Sequence, residues 1–473
     1  MNKRVNSISF AILFFTLNLA GCTTMHVFDV SDKYIAANQK QWLSKAYRID
    51  RNGWIYLHIE GKPFERGFQR GYLTANEINE FLKTVTYIQE FETGREHNFF
   101  VKTAARLFRN KISQEYVEEI KGMAAGMKQA GKEVTYDQML FMNGFIDIIW
   151  YWWPREKELN SPGCSAFIAT GDATADSRIV MAHNSWARYA LSRFCNIIVD
   201  IVPERGHQIL MQSWGPCIYS ATDFFITGAG LVGTETTIGG FKGFNPKGTP
   251  IFERARKAMQ YADSIDQWAR IMTDKNNGAY ANSWLLGDIK TGEIARLELG
   301  LKHHSLEKTK NGYFTGSNIT NNIKILREET NSTYDDVRST CVARRERWKQ
   351  LIKEHYGKID AEIAKQMLAD HYDVYLGREK PSSRTICGHS ELDDGSVPCT
   401  KSAYFPGGAV DGKVVDSDMA KNWKIWAKWG SSCNIGFDAK EFLEKHTQYD
   451  WLKGYLKDLP AQPWTIFPVD KQD

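Results

Sequence analysis

The spacing of apolar and polar positions changes character once along the chain, at Cys164. Ahead of it, from Phe64 to about Ile149, apolar residues recur at helical intervals. Tyr116, Ile120, Met123 and Met127 step by four, three and four along one helix face. A single strand, Trp54 to Ile59, precedes this stretch and is turned by Gly61-Lys62-Pro63. An aromatic cluster from Trp150 to Pro154 and a charged and polar run from Arg155 to Gly163 lead up to Cys164. Beyond it the pattern predicts hairpins: Cys164 to Ala169 with Arg178 to His183, Asn196 to Val202 with His207 to Trp214, and Ala281 to Gly287 with Glu293 to Leu299. Helices are expected at Phe252 to Tyr261, about Ser264 to Met272, Val342 to His355 and about Ile359 to His371. Antiparallel hairpins with helices gathered between them predict an α+β layered sandwich. The C-terminal third is mixed, and no internal repeat or low-complexity segment stands out.

The start of the chain reads as targeting, not fold. Lys3 and Arg4 precede an apolar stretch, Ile8 to Leu19, that is too short to span a bilayer. It ends in Leu19-Ala20-Gly21-Cys22, which resembles a bacterial lipoprotein signal, with Cys22 diacylated after cleavage. Multiple acyl chains make a stable membrane anchor. Residues 1–21 are then signal, 22–50 a polar tether, 51–163 a mainly helical region and 164–473 the catalytic region. Thr23 gives no acidic retention signal, so the expected location is the bacterial cell envelope, at the outer membrane of a Gram-negative host. Charge is nearly balanced, 60 Lys+Arg against 56 Asp+Glu, with no long basic block, which argues against a nucleic-acid partner. With Cys22 committed to lipid, seven of the 8 cysteines remain, so at least one thiol stays unpaired if the others bridge. Cys399 and Cys433 flank a C-terminal motif and are a candidate pair, with Cys387 the competitor. No Cys-x-x-Cys or His-Glu-x-x-His is present, so no dedicated metal site is expected.

Gly228-Ala229-Gly230-Leu231-Val232-Gly233 matches a dinucleotide-binding pattern, but the β-branched run Thr234 to Ile238 follows where a helix is required. Cys164 is the stronger candidate. Asn160-Ser161-Pro162-Gly163 makes a permissive turn before it. A cut at Gly163–Cys164 would leave the thiol on the first residue of a strand. The new α-amine titrates near ~8 and serves as general base. Local pattern alone favours a small buried core cysteine. His183-Asn184 ends the return strand of the same hairpin, which brings it back beside Cys164. Asn282 begins a later strand and offers an amide donor for an oxyanion. Each of the three also fits a residue that merely closes hydrogen bonds at a sheet end.

A family resemblance adds to this reading. Gly61-Lys62-Pro63-Phe64-Glu65-Arg66-Gly67 through Gly71, Glu118 to Gly126, Gly163-Cys164-Ser165-Ala166-Phe167, Ala182-His183-Asn184-Ser185-Trp186, Gly230 to Ile238, Asn282-Ser283-Trp284-Leu285, Pro406 to Lys413 and Trp429 to Cys433 occur in an order that resembles the phospholipase B-like proteins and the related isopenicillin N acyltransferase-type family. Both are N-terminal-nucleophile (Ntn) hydrolases. The resemblance implies a four-layer αββα sandwich, made as a precursor with a helical N-terminal pro-region that cuts itself between Gly163 and Cys164. It implies Cys164 as nucleophile, Asn282 as oxyanion donor, and His183 and Asn184 as amine-orienting and substrate-contacting residues. The acyltransferase branch has an Asp two residues after the Asn; here that position is Trp186, which favours the phospholipase B-like branch. Arg345 resembles a pocket arginine of the acyltransferase branch. The implied activity is acyl transfer to water or another acceptor, on an acyl amide or lipid ester, through a thioester and without a cofactor. The alternatives are a Cys/His hydrolase that does not cut itself, using His183 or His389, and a non-catalytic binding lipoprotein on the same fold.

Overall fold

A computed structural model describes residues 31–153, 163–221, 223–397 and 402–469. The signal, Cys22 and Cys399 lie outside the described residues. The chain divides into Met1–Gln41 and Trp42–Asp473. The helical stretch ahead of Cys164 therefore belongs to the same compact unit as the strands after it. Helix Asp32–Leu43 crosses the division.

Two sheets form the centre. The nine-stranded sheet runs through Tyr47–Arg51, Trp54–Gly61, Ile197–Pro203, Ile209–Ser213, Phe224–Thr227, Leu231–Thr237, Asn282–Asp288, Glu293–Leu299 and His304–Thr309. All its pairings are antiparallel except Trp54–Gly61 with Ile197–Pro203. The six-stranded sheet runs through Gly312–Gly316, Ser165–Gly171, Ser177–Asn184, Asp411–Asp416, Ile425–Trp429 and Thr465–Phe467. Strands Ser165–Gly171 and Ser177–Asn184 pack across onto Leu231–Thr237 and Asn282–Asp288. Helices Pro63–Leu73, Ile251–Tyr261 and Ile265–Thr273 cover the first sheet, and Thr340–His355, Ala361–Leu368 and Ser417–Lys421 the second. This is the four-layer αββα sandwich.

Most predicted elements form within a residue or two of their expected ends, because their apolar runs are buried almost throughout and are bounded by turn residues. Glu293–Leu299 and Trp54–Gly61 are examples. The strand Leu231–Thr237 replaces the helix that nucleotide binding would need. Within the stretch read as a tether Asp32–Leu43 is a helix, and Tyr47–Arg51 joins the first sheet as its edge, with Tyr47 packed 6.0 Å from Tyr56. Its five residues, three half-buried and two exposed, carry too little apolar signal to be distinguished from a polar linker.

Helices Pro63–Leu73 and Gln114–Gln129 touch backbone to backbone. A β-carbon at Gly67 would lie 1.9 Å from the Glu119 carbonyl oxygen, and at Gly71 2.0 Å from that of Met123. Reciprocally, one at Gly122 would lie 2.1 Å from the Phe64 carbonyl oxygen and at Gly126 2.2 Å from that of Phe68. Beside this seam, buried Glu119 accepts from Arg66 (2.7 Å) and from Arg256 (3.0 Å). The pair is therefore tied to helix Ile251–Tyr261. Because backbone cannot swing aside, Gly122→Ala is expected to lower stability by about 2–3 kcal/mol. Gly436→Ala, whose added carbon meets nothing closer than 3.7 Å, should stay near neutral. Urea denaturation of the two variants checks the difference.

Candidate active site

The hairpin places Cys164 at the mouth of the six-stranded sheet, with Ser165 opposite Asn184 and Ala166 opposite His183. Cys164 is 3% exposed and held at both ends of its backbone. Its N–H donates to Asn318 Oδ1 at 2.8 Å, and its carbonyl accepts from Arg344 Nη1. Arg344 also donates to Asn318 Oδ1 (2.9 Å), Ser165 Oγ (3.2 Å) and the Thr340 carbonyl (3.1 Å). Its guanidinium lies 4.5 Å from the centre of the Trp186 ring, a cation–π arrangement. Asn318 adopts a left-handed backbone, φ 65°, and donates to the Thr237 carbonyl at 2.7 Å. That strand residue lies opposite Asn282, so Asn318 links Cys164 to the first sheet.

On the inner side of the hairpin the sulfur of Cys164, a ring nitrogen of His183 and a carboxylate oxygen of Asp223 all lie within 4.8 Å of one another. Burial, with a smaller push from Asp223, raises the Cys164 thiol to about 12. Burial, helped by Lys413, holds His183 well below its usual range, so the ring is neutral. Neither of its nitrogens reaches hydrogen-bonding geometry. Asp223 accepts from the Tyr280 hydroxyl at 2.7 Å. Burial raises Asp223 to about 6, and burial together with Asp223 raises Glu235 well above the carboxylate range. Asn282 is fully buried, and both atoms of its amide lack a partner. Buried amides are nearly always satisfied, which sets this one apart.

Among the sequence candidates, Cys164 and His183 come together, Gly163 packs on the Trp186 ring, and Trp186 lies under Arg344. Asn184 turns to the opposite face of its strand. It donates to the carbonyls of Leu368 (2.8 Å) and Ile386 (3.2 Å) and accepts from Ser432 (2.7 Å), which makes it a tie between loops. Arg345 also points elsewhere. It donates to the Tyr334 carbonyl (2.7 Å) and to Glu346 (2.9 Å) and lies over the Tyr334 ring. One step along a helix rotates a side chain by about 100°, so the neighbouring Arg344 occupies the site instead. Asn318, Asp223, Glu235 and Tyr280 were not read from the sequence. Glu235 carried a usable signal, a carboxylate in the middle of the wholly buried strand Leu231–Thr237.

The family model for Phospholipase B matches residues 47–298, more than half of the chain. The chain belongs to the phospholipase B family. It is, with that family, a hydrolase of acyl bonds. An uncharacterized protein of Archaeoglobus fulgidus is 26% identical over 257 residues, which are 51% of this chain and 42% of that protein's length. Phospholipase-B 81 of Drysdalia coronoides is 23% identical over 458 residues, 80% of each chain. Among solved structures, penicillin V acylase from Agrobacterium tumefaciens is similar at 11% identity, covering 56% of this chain and 83% of its own, with a TM-score of 0.30.

Asp223 supplies a pH test. The folded state keeps its proton up to about pH 6, whereas an unfolded aspartate releases it near ~4. Stability is therefore lost as pH rises through that window, and the whole loss is present above it. Asp223→Asn is expected to raise the melting temperature at pH 8 by a few degrees relative to the parent chain, and the gap should close at pH 4. Scanning calorimetry at the two pH values measures it; an equal gap at both would contradict the assignment.

Proposed function

We propose that the chain is a self-processing cysteine hydrolase of acyl esters or amides, with Cys164 as its nucleophile. The observation that carries this reading is the grip on the Cys164 backbone: Asn318 Oδ1 accepts from its nitrogen and Arg344 donates to its carbonyl. Such a grip leaves the nitrogen oriented if the bond before it is broken. In the first step the thiol adds to the Gly163 carbonyl, the C–N bond breaks, and the Cys164 nitrogen leaves as an amine. Water then hydrolyses the resulting thioester and frees the thiol. In turnover the α-amine takes the thiol proton and the thiolate attacks the substrate carbonyl. Asn282 Nδ2 donates to the oxyanion. The leaving alcohol or amine takes the proton back, and water resolves the thioester. Residues 51–163 act as the pro-region, and 164–473 carry the catalytic groups. Cys22 anchors the protein by lipid in a bacterial envelope, at the outer membrane. That anchor, together with the name of the Drysdalia coronoides relative, Phospholipase-B 81, supports phospholipid esters as substrates.

A second reading uses His183 as the base in an uncut chain, supported by the 4.8 Å grouping with Cys164. A ring held neutral by burial and by Lys413 is a weak proton acceptor, so the first reading is preferred.

Denaturing electrophoresis with N-terminal sequencing separates the two. Pieces of about 16 and 35 kDa are expected, the larger beginning at Cys164. Cys164→Ala should stay intact and inactive. Release of the same pieces by Cys164→Ala, or full activity in a single uncut chain, would contradict self-processing. Asn282→Ala is expected to lower kcat by about 10²–10³, measured on a short-chain acyl ester after processing is complete.

A further inference from the structure

Away from the Cys164 chamber, three loops bring together a donor set that the acyl chemistry does not use. His371 follows helix Ala361–Leu368, Cys387 and His389 stand two residues apart in the next loop, and Cys433 follows strand Ile425–Trp429. One ligand atom from each of the four lies within 4.8 Å of every other. Cys387 and His389 are buried, the other two half-buried, and both cysteines are free thiols.

We propose that His371, Cys387, His389 and Cys433 form a tetrahedral Cys2His2 site for a zinc-type divalent ion with a structural role. Zinc holds sulfur at about 2.3 Å and imidazole nitrogen at about 2.0–2.1 Å, so tetrahedral geometry separates a sulfur from a nitrogen ligand by about 3.6 Å. His389 Nε2 stands 3.3 Å from Cys433 Sγ and 3.7 Å from Cys387 Sγ. The other ring nitrogen, Nδ1, meets buried Glu391 Oε1 at 2.8 Å, which fixes the tautomer that presents Nε2 inward. A carboxylate behind a ligating histidine is the usual outer partner of such a site. His371 Nε2 is buried without a hydrogen-bond partner.

Two thiolates and two neutral imidazoles select zinc over magnesium or calcium, and four protein ligands leave no open position for catalysis. Binding displaces two thiol protons, and the two thiolates balance the dication. The site lies behind the catalytic chamber. Gly388, between two of the ligands, packs directly on the Trp186 ring that carries Arg344. Ser432, next to Cys433, donates to Asn184. A metal here would staple together loops with little regular structure of their own.

The test uses full-length protein purified without chelator. Elemental analysis is expected to find one zinc per chain. After stripping, titration with Co(II) alone should give a thiolate-to-cobalt charge-transfer band and the intense visible bands of a tetrahedral ion. Cys433→Ser should abolish the charge-transfer band or weaken it severely. Glu391→Gln should keep the band but weaken Co(II) affinity by about 10–100-fold. Absence of zinc together with absence of a charge-transfer band would overturn the proposal. So would a Cys387–Cys433 disulfide found by peptide mapping of the natively purified protein. None of these readouts depends on acyl hydrolysis, so they stand or fall apart from the assignment of Cys164.

Discussion

A guanidinium buried without a carboxylate partner is expensive to hold, and Arg344 is such a group, as are Arg70 and Arg254. Among the described residues Arg344 makes no ion pair, and it is wholly buried. Its donors go instead to the Cys164 carbonyl, Ser165, Asn318 and the Thr340 carbonyl, and its face lies on Trp186. All of these lie on or around Cys164. Removing any of them leaves part of a buried charge unsatisfied, so the start of the hairpin, the left-handed turn at Asn318 and the position of Trp186 are mutually enforced. Such over-determination suits a nucleophile, whose position must be fixed before substrate arrives.

The same burial sets the proton chemistry. A thiol raised to about 12 is not a resting thiolate. To act as a nucleophile it would have to give up its proton to a neighbour. His183 is kept neutral but is a weak acceptor, Glu235 keeps its own proton, and Asp223, ionised above about pH 6, already accepts from the Tyr280 hydroxyl. An α-amine at Cys164 would be a base attached to the nucleophile itself and would titrate near ~8. Were the chain cut there, Asn318 Oδ1, which accepts from the Cys164 nitrogen, would be the group that holds the amine.

The sandwich was legible because the strands after Cys164 are short apolar runs, buried almost throughout and bounded by turn residues, and because the helical spacing ahead of it is regular. What stayed hidden was non-local. Asp411–Asp416, which pairs Lys413 with His183 at the centre of the second sheet, is separated from its neighbour by more than two hundred residues of sequence. Asn318, Asp223 and Tyr280 reach the site through positive backbone φ angles, which their residue types do not announce. Arg344 was missed by one residue, since motif matching does not fix helical phase. The Cys2His2 cluster escaped a search for short ligand spacings because its three segments are brought together only by tertiary packing.

The central claim, that Cys164 carries the acyl group during turnover, is most directly tested by trapping. The purified protein would be mixed with a slowly hydrolysed acyl ester, quenched in acid within seconds, and its chains weighed and mapped by mass spectrometry. The account expects one acyl group, on the peptide that begins with Cys164, and its removal by hydroxylamine as a thioester. Product formation with no acyl group on Cys164, or with the acyl group on another residue, would contradict it.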